Sequence, residues 1–254
     1  MMTRRQIFIH SFFLGLCAAF LSALTEPNSA IPFTLFSTTS IYIFLRRNLA
    51  SSKALLSLST ISLLLMIIAF GAGLALSKEQ ITTVIIAGII LMLYIIPSKW
   101  ALRNHPLLKP LSIALCWSLM TVGVAFDNSL FFLPNDHSVF EIFLQIFFLT
   151  FFLSLLYDYR DAIFIKNQES TLPKIFSEKK FYSAIWIALV SSFVGFILFG
   201  ENSSASIAYF TASTYTLFLF KKIKTFSYAR ATWLTDVGFI VYGLTYFGLN
   251  KFLF

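Results

Sequence analysis

Charged side chains are scarce in this chain. Only 12% of its 254 residues are Asp, Glu, Lys or Arg and 58% are hydrophobic, whereas a soluble domain carries roughly a quarter charged residues. A shortage of this size excludes an ordinary water-soluble fold. Acids are rarer than bases, 11 against 19, and none occurs between Glu26 and Glu79. Cysteine is limited to Cys17 and Cys116, and no Cys/His spacing suits a disulfide framework or a zinc site. Both cysteines fall inside apolar runs and read as small buried residues. His10, His105 and His137 are scattered over different segments and are assigned no role. Low-complexity linkers, internal repeats and any soluble segment are also missing, so residues 1–254 read as a single integral-membrane helical domain.

What is present is apolar and aromatic, including 31 Phe, with a mean hydropathy of +0.82. A helix needs ~20 apolar residues to cross the hydrocarbon core. Nine runs approach that length: 7–24, 31–45, 54–76, 81–96, 111–126, 139–156, 181–199, 203–220 and 232–249. The second, fourth and fifth are short, and flanking Tyr42, Tyr94 and Trp117 or local bilayer thinning would let them span. The expected fold is therefore all-α, a bundle of about nine transmembrane helices.

Basic residues set the expected orientation, because short loops rich in Lys and Arg stay cytoplasmic. With the N-terminus inside, 19 basic residues divide so that only Lys78 and Lys251 fall outside. The net charge of +8 is then explained by topology and anionic lipid contact. No nucleic acid is needed as a partner, and no protein partner is implied. Arg4-Arg5 ahead of an apolar stretch ending near Ser22-Ala23-Leu24 also has the shape of a signal peptide, but an apolar run this long favours a retained helix. Outer connections such as Lys78-Glu79-Gln80 are brief, whereas those at 97–110, 157–180 and 221–231 are long and polar. Long loops carry function more often than short ones, which places the expected site on the cytoplasmic side.

Within that frame the most informative stretch is Leu155-Leu156-Tyr157-Asp158-Tyr159-Arg160-Asp161. Carboxylates at i and i+3 share one face of a helix end. Such a pair is suited to a hard divalent cation such as Mg²⁺, which takes carboxylate oxygens and bridges to phosphate. Asp236, about one turn inside the ninth span, is a second candidate, since an acid at that depth is costly unless it serves a site; capping the helix start is the alternative. The cluster Thr34, Ser37, Thr38, Thr39 and Ser40 in the second span reads mainly as close helix packing with interhelical hydrogen bonds.

The order Asp158-Tyr159-Arg160-Asp161, a basic polar stretch, then Thr171-Leu172-Pro173 resembles the second aspartate-rich region of the UbiA superfamily of membrane prenyltransferases. In that family the region follows the sixth of nine transmembrane helices on the cytoplasmic side. Tyr94-Ile-Ile-Pro97-Ser-Lys99 is a weaker echo of the family's Tyr-Pro segment and basic pair. The chain departs from the pattern elsewhere. The first aspartate-rich motif, expected after the second helix, is replaced by Ile41-Tyr42-Ile43-Phe44-Leu45-Arg46-Arg47-Asn48. Ile165 stands at the third aspartate position of the second motif, with Glu169 nearby but unaligned.

The resemblance implies a UbiA-like bundle around a central cavity and transfer of an isoprenoid chain from a prenyl diphosphate to a hydrophobic acceptor, aromatic or lipid. By that resemblance Asp158 and Asp161 would be Mg²⁺ ligands, and Arg46, Lys99, Lys109 and Arg160 would contact the diphosphate. A non-catalytic protein of the same fold, binding or carrying a lipid or quinone, is the alternative. A small-solute transporter fits less well, because neither paired helix interruptions nor repeated halves occur.

Overall fold

The computed structural model describes residues 3–25, 30–46, 52–96, 101–125, 137–164, 172–176, 178–200 and 203–252. These form α1 (Arg4–Thr25), α2 (Ala30–Arg46), α3 (Ser52–Gly73), α4 (Lys78–Ile95), α5 (Leu108–Ser118), α6 (His137–Phe164), the one-turn α7 (Leu172–Ile175), α8 (Glu178–Phe199), α9 (Ser203–Lys222) and α10 (Tyr228–Phe252). Apart from α7, each of these helices overlaps one of the nine expected spans. No strand occurs among the described residues, so the fold is all-α.

Two compact units divide the chain, residues 1–84 with 120–130, and residues 85–119 with 131–254. In the first, α2 packs against both α1 and α3. The small polar residues of α2 hold these contacts as the sequence suggests: Ser40 Oγ donates to the Ser62 carbonyl at 2.7 Å, and Ser62 Oγ returns a bond to the Ser40 carbonyl at 3.0 Å. On the other side, Gly15 of α1 lies so close to α2 that a Cβ there would meet Thr39 Oγ1 and come within 2.8 Å of the Leu35 carbonyl oxygen. Close approach through small residues replaces the hydrophobic drive that lipid does not supply.

In the second unit α6 is the central element, packing against α5, α9 and α10. Its apolar stretch is 67% buried, whereas that of α8 is 17% buried, so α6 is an interior helix and α8 a peripheral one. Phe152, Leu156 and Tyr159 of α6 join Phe181 and Ile185 of α8 and Phe220 of α9 in one core cluster. Trp117 of α5 stacks on Phe239 of α10 with ring centroids 4.6 Å apart. The outward side of α8 exposes Trp186, Ile187, Val190, Val194, Ile197 and Leu198, an apolar face suited to lipid rather than water. Among the described residues, four helices hold stretches long and apolar enough to cross a bilayer.

The sequence reading ends the sixth span at 156, but α6 continues to Phe164. The helix runs on through its charged residues because neighbouring helices answer those charges, so the backbone has no reason to leave the hydrogen-bonded ladder. The α5 helix also continues past Ser118 as a five-residue π-helical segment, Leu119–Gly123, which no sequence signal announces.

Candidate functional site

All the charged residues of the candidate site whose side chains are described belong to the second unit, where α5 begins, α6 ends and α10 begins. Asp158 and Asp161 occupy the last two turns of α6. That end of a helix carries the negative pole of its dipole, so two carboxylates there need cations. Lys109 sits in the first turn of α5, beside a positive pole that disfavours it for the converse reason. Pairing the two offsets both penalties. Lys109 Nζ donates to Asp158 Oδ1 at 2.7 Å, with side-chain exposures of 18% and 4% respectively. Asp158 Oδ2 is buried and has no hydrogen-bond partner among the described residues.

Asp161 is answered by its chain neighbour. The Arg160 guanidinium donates to Asp161 Oδ1 through Nε at 2.7 Å and also through Nη2. The same fork crosses to α10, with Nη1 donating to Thr232 Oγ1 at 2.7 Å and Nη2 to the Tyr228 hydroxyl at 3.2 Å. The rings of Tyr157 and Tyr228 lie 4.7 and 4.5 Å from the guanidinium carbon, close enough for cation–π attraction. Arg160 is buried, and these contacts make it the joint between α6 and α10.

The two ion pairs share one electrostatic environment. Asp161 and Arg160 are near enough for their charges to act on Asp158, and Asp161 and Tyr94 act on Lys109. Tyr94, Ile95 and Ile96 are the described part of the Tyr94-to-Lys99 segment. Asp236 is fully buried on α10, four residues beyond Thr232 and hence on the same helix face, about 6 Å further along the axis. The side chain of Arg46, and Lys99, Thr171, Ile165 and Glu169, lie outside the described residues.

Mg²⁺ requires oxygen ligands in near-octahedral array and is favoured by carboxylates in excess over local cations. Here one oxygen of each aspartate is held by a cation, the formal charges of Lys109, Asp158, Arg160 and Asp161 sum to zero, and no group of three Asp, Glu, His or Cys residues able to hold a metal occurs among the described residues. This donor set does not fit a bound Mg²⁺. It is suited instead to receiving an anion at the partly exposed Lys109, whose ammonium has three N–H groups and spends one on Asp158.

Sequence reasoning did not find Tyr157, Tyr228 and Thr232. The available signal was the i, i+4 pair Tyr228/Thr232 at the start of an apolar helix, which gives a hydroxyl-bearing face but not its partner. A second polar group at the opposite end of α6 was also missed. Glu141 Oε1 accepts from Gln145 Nε2 at 2.9 Å and Ser206 Oγ at 3.1 Å, and the Tyr242 hydroxyl donates to Gln145 Oε1 at 3.0 Å. These bonds tie α6 to α9 and α10.

No family model matches the chain, and no curated protein matches it in sequence. A solved structure of a digeranylgeranylglyceryl phosphate synthase in membranes is similar over 95% of this chain and 93% of its own, with a TM-score of 0.55 and 14% identity. That likeness shows the fold, which is UbiA-like. Together with the apolar spans it makes the chain an integral membrane protein.

Proposed function

We propose that this protein is a UbiA-like membrane prenyltransferase, which moves an isoprenoid chain from a prenyl diphosphate to an aromatic or lipid acceptor. The observation that carries the reading is the position of the charged cluster. It lies at the end of the sixth long helix of a UbiA-like fold, where the sequence resembles the family's second aspartate-rich region. In such a transfer the bond between the prenyl C1 and the diphosphate oxygen breaks, the diphosphate leaves with the electron pair, and C1 bonds to the acceptor, which loses a proton to water. The barrier falls when cations are already aimed at the oxygens on which charge develops. Lys109 is the cation best placed for this; Lys99 and Arg46 are phosphate contacts by the sequence resemblance alone. Arg160 contributes by fixing Asp161 and the α6–α10 joint.

UbiA-type prenyltransferases generally depend on Mg²⁺, whereas the donor set of this site does not accommodate the ion. Asp236 is assigned to the apolar side of the same site. The N-terminus and the cluster face the cytoplasm in this reading, the chain acts as one membrane domain, and membrane lipid is its surrounding partner.

Two observations favour a second reading: both aspartates are already neutralised by built-in cations, and the first aspartate-rich motif is missing. A protein of this kind could bind or carry an isoprenoid lipid or quinone without chemistry. Incubating the protein in lipid nanodiscs with labelled prenyl diphosphate and a membrane lipid extract separates the two. Acceptor-dependent diphosphate release, lost in Lys109→Gln/Asp158→Asn, supports transfer. Saturable binding of the prenyl compound with no diphosphate released replaces the enzyme with the carrier.

A further inference from the structure

The cluster is built as though its metal had been replaced by a side chain. In a carboxylate–Mg²⁺–diphosphate arrangement the metal stands between two anions that would otherwise repel each other. The Lys109 ammonium already stands on one side of that arrangement, 2.7 Å from Asp158 Oδ1. Its side chain is the more exposed of the pair, and two of its three N–H groups are not spent on Asp158. The carboxylate behind it holds the ammonium in place, as a ligand residue would hold a metal.

A divalent cation would have to displace Lys109 or settle beside two fixed positive charges, Lys109 and Arg160. Arg160 cannot swing away easily, since its fork is spent on Asp161, Thr232 and Tyr228 and its faces meet two tyrosine rings. No group of three Asp, Glu, His or Cys able to hold a metal occurs among the described residues, and the sequence has no acid between Glu26 and Glu79.

We infer that this site binds the diphosphate of its ligand through the Lys109 ammonium and without a divalent metal, with Asp158 as the residue that positions the lysine. The inference rests on the prenyl diphosphate reading for the identity of the ligand, and its test separates the two.

The experiment titrates the full chain in detergent or nanodiscs with geranylgeranyl thiolodiphosphate and, separately, with inorganic diphosphate, each in excess Mg²⁺ and in excess EDTA. Wild-type affinity for the prenyl compound should agree within about twofold between the two conditions. Lys109→Gln/Asp158→Asn removes the ion pair without leaving a bare buried charge, so it should fold. It should also bind roughly tenfold or more weakly, the loss expected for a charge-assisted hydrogen bond. Lys109→Arg, which keeps a cation, should recover part of that loss. A tenfold or greater weakening in EDTA that Mg²⁺ reverses overturns the inference and leaves the prenyl reading intact. Mn²⁺ binding to the ligand-free protein, seen by electron paramagnetic resonance and lost in Asp158→Asn/Asp161→Asn, overturns it as well. Metal-independent binding of inorganic diphosphate with no gain from the prenyl chain supports the inference and removes the prenyl reading. No binding of either compound removes both.

Discussion

Arg160 on α6 donates from Nη1 to Thr232 Oγ1 on α10 at 2.7 Å, joining two helices across 72 positions of sequence. The same guanidinium binds Asp161 and Tyr228, so a single buried side chain fixes both the end of α6 and the start of α10. Arginine suits this role because its planar fork distributes donors in fixed directions and stacks on aromatic faces, neither of which lysine does.

Arg160→Lys should therefore destabilise despite keeping the charge. A loss of ~2 kcal/mol is expected, from charge-assisted hydrogen bonds left unmade and a weakened cation–π contact. Thr232→Val should cost about 1 kcal/mol, the worth of one bond. Thermal melting in detergent reads both, and an Arg160→Lys protein that melts with wild type would remove the fork from the account of the α6–α10 joint.

The Lys109–Asp158 pair should behave as a coupled unit. Asp158→Asn and Lys109→Gln are each expected to destabilise, since breaking a buried pair leaves one charge uncompensated, at a cost of about 3–5 kcal/mol when burial is complete and less here because Lys109 is partly exposed. The double variant should recover much of that loss. A double-mutant cycle measures the coupling, and single effects that simply add would show that the two groups do not interact in the folded protein.

Gly15 should tolerate nothing larger than itself. A Cβ at this position meets Thr39 Oγ1 and the Leu35 carbonyl, and because one obstacle is backbone, α1 and α2 would have to separate. Gly15→Ala is expected to lower stability by about 1–3 kcal/mol, the usual range for overpacking. Gly71→Ala, where a Cβ meets nothing within 4 Å, is the matched control and should melt close to wild type.

The Tyr242–Gln145 bond should be measurable apart from the charged cluster at the other end of α6. Tyr242→Phe removes the hydroxyl that donates to Gln145 Oε1 and should cost about 1 kcal/mol. Ligand affinity at Lys109 should stay unchanged, and a large change there would show that the two ends of α6 are linked.

Orientation is testable by labelling. With native Cys17 and Cys116 replaced, a cysteine at Asn167 should resist impermeant thiol reagents applied outside intact cells, whereas one at Ser129 should react. Both positions lie outside the described residues and are chosen from the charge asymmetry alone. The reverse pattern would put the acidic pair on the outer side.

Much of the architecture was legible in the sequence. Each of the nine apolar runs overlaps a helix among the described residues, because hydrophobic length is a local property and a bilayer leaves the backbone few alternatives. The position of Asp158 and Asp161 at the end of the sixth long helix followed from the same count, and so did the packing use of Ser40 and its neighbours. What the sequence could not determine is which charge meets which. Lys109 and Asp158 are 49 positions apart, and nothing in either segment names the other. Arg160 read as a phosphate contact until the packing of α10 set Tyr228 and Thr232 against it. The aspartates read as a vacant metal pair until α5 brought an ammonium to one and the guanidinium folded onto the other. Those decisions belong to helix packing, which sets distances between residues remote in sequence, and a pair of buried carboxylates takes its chemistry from whatever the packing places within hydrogen-bonding distance.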